Sequence, residues 1–127
     1  MKDSVVEKAI EMRKRAVAPH SNYTVGAAVL TESGEIIGGC NVESSSYGLT
    51  CCAERIAIYN AISAGHTKFN ALAVATTNGG KPCGACRQVI WDICHDIKIY
   101  VSDETGNINE TTSADLLPDA FGEDMLS

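Results

Sequence analysis

Apolar and polar positions alternate along this chain with periods that change several times, and the changes divide it into elements. From Ser4 to Ala16, Val5, Val6, Ala9, Ile10, Met12 and Ala16, with the stem of Arg13, recur at helical spacing, while Glu7, Lys8, Glu11 and Lys14 take the other face. Pro19 stops that helix. Tyr23 to Thr31 reads as a strand, Glu32-Ser33-Gly34-Glu35 as a hairpin turn, and Ile36 to Val42 as the returning strand. After the polar loop Ser44-Ser45-Ser46-Tyr47-Gly48, the segment Ala53 to Ala64 places Ile56, Ala57, Ala61 and Ile62 at helical spacing, and Gly65 suits its C-terminal cap.

Phe69 to Thr77 is rich in small apolar residues and reads as a buried central strand. Asn78-Gly79-Gly80-Lys81-Pro82 is a loop, with Pro82 suited to the first position of a helix running to about Cys94. Ile97 to Val101 is a further strand, Asp103 to Asn107 a turn, and Ile108 begins a short edge strand. Ser113 is expected to cap a brief helix over Ala114 to Leu117, ended by Pro118. The order α-β-β-α-β-α-β-β-α predicts a three-layer α/β/α sandwich around a mixed five-stranded sheet, with residues 1–127 forming one domain.

Two segments, Cys52-Ala53-Glu54 and Pro82-Cys83-Gly84-Ala85-Cys86, fall where a loop is expected to become a helix. Thiolates at Cys83 and Cys86, three apart on a first helical turn, point the same way and make half of a zinc site. Cys52 starts a different helix, and the intervening chain can bring residue 83 back beside it. Three protein ligands leave one position open for water, which separates a catalytic zinc from a closed structural one. Glu54 is then within reach of that water as a proton shuttle. Three thiolates leave the site net negative, and two helix N-termini and Arg55, as a hydrogen-bond donor to the sulfurs, can offset that charge. A four-thiolate structural site using Cys51 would leave Glu54 without purpose. Cys40, Cys51 and Cys94 read as packing thiols, and His20, His66 and His95 as solvent or cap residues.

Composition narrows the partners. With 45% apolar and 20% charged residues the chain belongs to the globular class. The formal net charge of −6 is carried by the segment from Val101 to Ser127, which holds seven acidic residues and no Lys or Arg. No basic stripe is present to neutralise a polyphosphate backbone, so nucleic acid is not an expected partner. The N-terminus lacks an apolar core of a secretory signal, and no stretch approaches the roughly 18 apolar residues of a membrane span. A cytoplasmic protein with no membrane association is expected, its 6 cysteines kept as thiols.

C-x-E followed by P-C-x-x-C is the zinc-deaminase pattern with Cys in place of the usual first His ligand. Together with Tyr23-Thr24-Val25-Gly26-Ala27-Ala28, Gly39-Cys40-Asn41-Val42-Glu43, Ser46 to Arg55, Pro82 to Gln88 and Leu116 to Phe121, it makes the chain resemble, over nearly its whole length, the cytidine deaminases of the small homotetrameric three-cysteine type. The resemblance implies one Zn²⁺ per chain on Cys52, Cys83 and Cys86 and hydrolytic deamination of cytidine and 2′-deoxycytidine in pyrimidine salvage. It implies that Asn41 and Glu43 hold the ribose 3′-hydroxyl, that Glu54 also contacts the pyrimidine N3, and that backbone near Ala53 and Cys83 serves the water and the leaving amine. It further places Phe121 and part of the Ser45 to Leu49 loop, with Ser46 and Tyr47, in a neighbouring subunit's active site. Without the resemblance, Asn41 and Glu43 read equally as a sugar grip or as solvated loop residues. The family usually has Pro-Tyr-Ser-x-Phe where this chain has Pro19-His20-Ser21-Asn22-Tyr23, so Tyr23 stands where a Phe packs on the nucleoside, and its hydroxyl needs a partner. Alternatives are a deaminase of a modified, blasticidin-S-like cytosine nucleoside and a non-catalytic zinc-stabilised nucleoside-binding oligomer.

Overall fold

Alternation with a period of two sorts the side chains of the inner strands onto two faces, and each face meets its own helices. The computed structural model describes residues 2–126. Its elements are α1 (Lys2–Arg13), β1 (Gly26–Thr31), β2 (Ile36–Cys40), α2 (Ala53–Ser63), β3 (Phe69–Ala75), α3 (Gly84–Cys94), β4 (Lys98–Ser102), β5 (Ile108–Thr112) and α4 (Ser113–Leu116), with 3₁₀ turns at Tyr47–Leu49 and Glu123–Leu126. The five strands lie in the order β2-β1-β3-β4-β5. β1 runs antiparallel to β2 and β3, β3 parallel to β4, and β4 antiparallel to β5. The mixed sheet is the expected one, and the small-residue strand β3 occupies its centre.

On one face, Ala28, Leu30, Ala71, Ala73, Ala75 and Tyr100 pack against Val5, Val6 and Ala9 of α1. On the other, Ala27, Val29, Leu72, Val74, Ile99 and Val101 pack against Ala57, Ile58 and Ala61 of α2 and Ile90 and Cys94 of α3. Burying aliphatic side chains of this size contributes about 1.5–3 kcal/mol each before conformational entropy is counted. Gly39 lets α2 approach the sheet: a Cβ there would overlap the Ala57 amide and come within 2.8 Å of the Ala53 carbonyl. This close approach seats the first turn of α2, and with it Cys52 and Glu54, on the sheet.

Several boundaries differ from the sequence expectations. α1 ends at Arg13 rather than Ala16. β1 begins at Gly26 because Asn41 captures the preceding backbone, its Oδ1 accepting from Val25 N at 2.9 Å and its Nδ2 donating to Tyr23 O at 2.9 Å. β2 stops at Cys40, and Val42 makes only single bridges, to Val17 and Cys51. Pro82 precedes α3 instead of opening it, since Cys83 is the N-cap. Thr112, not Ser113, caps α4, its side chain accepting from the Asp115 amide. Ser113 is instead buried, with its Oγ accepting from Ile97 N at 3.2 Å. Among the described residues no helix is long and apolar enough to cross a membrane.

Candidate active site

Two helix starts converge beyond the sheet. Cys52 is the N-cap of α2 and Cys83 the N-cap of α3, with Cys86 buried in the first turn of α3. The Cys52, Cys83 and Cys86 sulfurs all lie within 4.8 Å of one another, and Cys52 and Cys83 Sγ are 3.9 Å apart. Tetrahedral zinc with Zn–S bonds of about 2.3 Å needs sulfurs about 3.8 Å apart. The donor set therefore fits zinc in number, chemistry and spacing.

The electrostatics around the sulfurs favour a cation. The Cys52 thiol is held well below the ordinary thiol range, chiefly by a hydrogen bond from Cys86, against the opposing effect of burial and with help from Arg55. Cys86 is pushed up in turn by Cys52 and by burial. Arg55 Nη2 donates to Cys52 Sγ at 3.4 Å, an interaction that also raises the Arg55 pKa, while its buried Nε has no hydrogen-bond partner among the described residues. One residue before Arg55, Glu54 is 4% exposed, and burial pushes its carboxyl up to about 7. Position alone does not do this: a helix N-terminus favours the carboxylate, and desolvation outweighs it.

A cavity of about 300 Å³ opens beside this cluster, lined by Cys52, Ala53, Glu54 and Cys83 on one side and by Tyr23, Asn41 and Glu43 on the other. Most of the residues singled out in the sequence are thus brought together. Glu43 Oε1 accepts from the backbone amides of His20 and Ser21 at 2.9 and 3.1 Å, and the Ser21 hydroxyl donates to Oε2. These bonds, the hydroxyl first, hold its carboxyl below the usual range. The Tyr23 hydroxyl has the partner it needed, donating to Asn78 Oδ1 at 2.8 Å.

Other expected residues lie elsewhere in this chain. Ser46 is exposed and outside the cavity, and Tyr47, 75% exposed, lines a shallower depression with His20, Ser21, Glu43 and Thr50. Phe121 is 57% exposed, and its carbonyl accepts from Gln88 Nε2 at 2.7 Å on α3. Cys94 is buried, which pushes its thiol up to about 12, whereas Cys40 and Cys51 are half-buried. His66, expected as a solvent or cap residue, follows the C-terminal end of α2 with its amide donating to Ala61 O at 3.0 Å, and its Nε2 lies 2.7 Å from Glu35 Oε2.

Sequence reasoning missed Thr76, Gly80 and Lys81, which line the cavity from the loop before Pro82. It also missed Arg87, whose Nε donates to Pro82 O at 2.7 Å and whose Nη1 donates to Leu116 O at 3.0 Å. The adjacency of Gly80 and Lys81 to Cys83 was their available signal. A larger cavity, about 470 Å³, lies between α1 and the 103–106 turn. It contains no sulfur, and its Arg13 and Glu104 are paired at 3.5 Å, so the chemistry belongs to the smaller one.

A triad able to hold a metal, next to a buried acid with a pKa near neutrality and an open cavity, is the equipment of a hydrolase. The family profile described as the cytidine and deoxycytidylate deaminase zinc-binding region matches residues 1–102. A cytidine deaminase of Halalkalibacterium halodurans is 46% identical over 125 residues, covering 95% of each chain. One from Sporosarcina psychrophila is 44% identical over 128 residues, covering 98% of this chain and 94% of its own. The crystal structure of cytidine deaminase from Burkholderia pseudomallei matches with a TM-score of 0.91 at 42% identity, covering 95% of this chain and 99% of that one. This chain belongs to the cytidine and deoxycytidylate deaminase family of hydrolases.

Proposed function

We propose that this protein hydrolyses cytidine and 2′-deoxycytidine to uridine and 2′-deoxyuridine with release of ammonia, using one zinc ion per chain on Cys52, Cys83 and Cys86. The observation that carries this reading is the sulfur triad opening on the same cavity as the buried Glu54. When bound, zinc acts as a Lewis acid that lowers the pKa of water toward neutrality.

The remaining steps fall to the chain's own groups. Glu54 takes one proton of the attacking water on its carboxylate and delivers it to the pyrimidine N3, then takes the second proton, from the hydroxyl the water has left on C4, and passes it to the 4-amino group, which departs as ammonia while the C4 carbonyl forms. A carboxyl with a pKa near 7 is suited to holding and releasing a proton at neutral pH. Arg55, hydrogen-bonded to Cys52, draws negative charge from the sulfurs. On the sugar side, Glu43 stays ionised and accepts from the ribose 3′-hydroxyl. Asn41 uses one of its two amide hydrogens on Tyr23 O, and the other remains for the same hydroxyl. Backbone groups near Ala53 and Cys83, residues that both line the cavity, serve the water and the departing amine. An ultraviolet assay on cytidine and 2′-deoxycytidine with a zinc determination tests this: turnover with about one zinc per chain supports it, and a fully active metal-free protein contradicts it.

The active form is read as a cytoplasmic homotetramer with shared sites, serving pyrimidine salvage. Thiol ligands suit a reducing compartment. Phe121, Tyr47 and Leu49 expose large apolar surfaces at 57%, 75% and 75%, which an assembly would cover. Truncation before Leu116 is expected to raise KM sharply or abolish turnover, with light scattering reporting the loss of assembly. A fully active monomer would overturn the shared site and the role given to Phe121.

A further inference from the structure

Hydrogen bonds at both ends of Tyr23, its backbone amide on the sugar side of the cavity and its hydroxyl on the sulfur side, make the residue a tie across the cavity rim. Ser21 Oγ donates to Glu43 and accepts from the Tyr23 amide at 3.0 Å. At the other end of the residue, the Tyr23 hydroxyl donates to Asn78 Oδ1 at 2.8 Å. That same oxygen accepts from Gly80 N at 3.0 Å, and Gly80 N also lies 2.9 Å from Thr76 Oγ1. Two residues after Lys81 the loop reaches Cys83. The tyrosine thus spans between the carboxylate proposed to hold the sugar and the loop that delivers one sulfur.

The fit is tight at one point. A Cβ on Gly80 would overlap the Tyr23 hydroxyl, yet would sit 3.6 Å from Tyr23 Cζ, an ordinary contact, and 3.2 Å from Asn78 Oδ1. Gly80 does not have the positive φ of its neighbour Gly79, so its lack of a side chain answers a need for space and not for backbone freedom. The hydroxyl of Tyr23 and the missing side chain of Gly80 are therefore matched to each other.

We infer that Tyr23 is a positioning residue whose hydroxyl, latched to the Asn78–Gly80 turn, sets the width of the nucleoside cavity between Glu43 and Cys83. The phenol oxygen is engaged by the turn, so the ring is what the tyrosine offers a nucleoside. The inference rests on the deaminase reading for its kinetic consequence, while the latch itself is a property of the fold.

The test is a double-variant cycle of Tyr23→Phe and Gly80→Ala, read by KM and kcat on cytidine, zinc content and thermal unfolding midpoint. Tyr23→Phe removes one hydrogen bond and is expected to raise KM about fivefold, with a smaller change in kcat and zinc retained. Gly80→Ala displaces the hydroxyl and is expected to raise KM about tenfold or more. The double variant returns to the KM of Tyr23→Phe, because phenylalanine leaves room for the new methyl. The unfolding midpoint follows the same pattern, lowered by Gly80→Ala only when the tyrosine hydroxyl is present. If the wild type does not deaminate cytidine, the functional reading fails, and the midpoint cycle still decides the latch. Equal effects of Gly80→Ala in both backgrounds, or an unchanged KM in Tyr23→Phe, would overturn the inference. Should Gly80→Ala not fold, Asn78→Ala replaces it: its effect and that of Tyr23→Phe must then fail to add, and additive effects overturn the latch.

Discussion

Asp103 and Glu54 are both carboxyl groups in polar clusters, yet their surroundings push them in opposite directions. Asp103 opens the turn between β4 and β5 and accepts from Thr105 N at 2.9 Å, Thr105 Oγ1 at 2.7 Å, Asn107 N at 3.0 Å and Asn107 Nδ2 at 3.1 Å. Those donors, led by the Thr105 and Asn107 side chains, hold its carboxyl down at about 2. Around Glu54 the balance is reversed: burial pushes the acid up to about 7, three sulfurs crowd together, and Arg55 Nε lacks a partner among the described residues. A polar cluster whose hydrogen bonds are complete within one turn is a piece of structure. One that is desolvated, crowded and incomplete is arranged for something that arrives from outside.

Removing sulfur should separate the two clusters most widely. Cys52→Ala and Cys86→Ala are expected to lose zinc and all measurable deamination and to lower the unfolding midpoint, because metal binding and folding are linked. Asp103→Asn should leave zinc content at the wild-type level. Metal analysis of the three purified variants checks this, and retention of zinc by Cys52→Ala would break the contrast.

Arg55→Ala should have a smaller effect, with turnover falling roughly tenfold or more, as expected for loss of a charge-assisted hydrogen bond, and zinc content falling less. Unchanged turnover would show that the two helix N-termini offset the sulfur charge unaided. The smallest effect belongs to the turn. A folded-state pKa depressed to about 2, below the ordinary 3.8, adds stability that is present above pH 4 and lost as the pH falls toward 2. Urea unfolding between pH 6 and pH 2 should show this loss in the wild type and a shallower one in Asp103→Asn. Identical slopes would remove the turn from the comparison.

What the sequence disclosed depended on how far apart the partners lie along the chain. Ala27, Val29, Leu72 and Val74 announce their face by alternation alone, and short spacings at two helix starts announce the cluster of Cys52, Cys83 and Cys86 and the acid Glu54 on the adjoining cavity. The structure adds contacts no local pattern carries. Asn41 shortens β1 by binding residues 16 and 18 positions earlier, and Tyr23 finds Asn78 55 positions away. Thr112 and Ser113 are adjacent hydroxyl residues either of which could cap α4, and only the burial of Ser113 beneath Ile97 decides between them. Ser46, Tyr47 and Phe121 came from the family resemblance, and in the single chain they do not line the cavity.

Glu54 is proposed to move protons beside a zinc held by three cysteines, and a single substitution separates that role from a structural one. Glu54→Gln keeps the size and burial of the side chain but cannot accept a proton. Measured together on the purified variant, zinc content should stay near that of the wild type while cytidine turnover falls at least about 10²–10⁴-fold. Turnover within tenfold of the wild type, at full zinc content, would show that Glu54 is not the proton carrier.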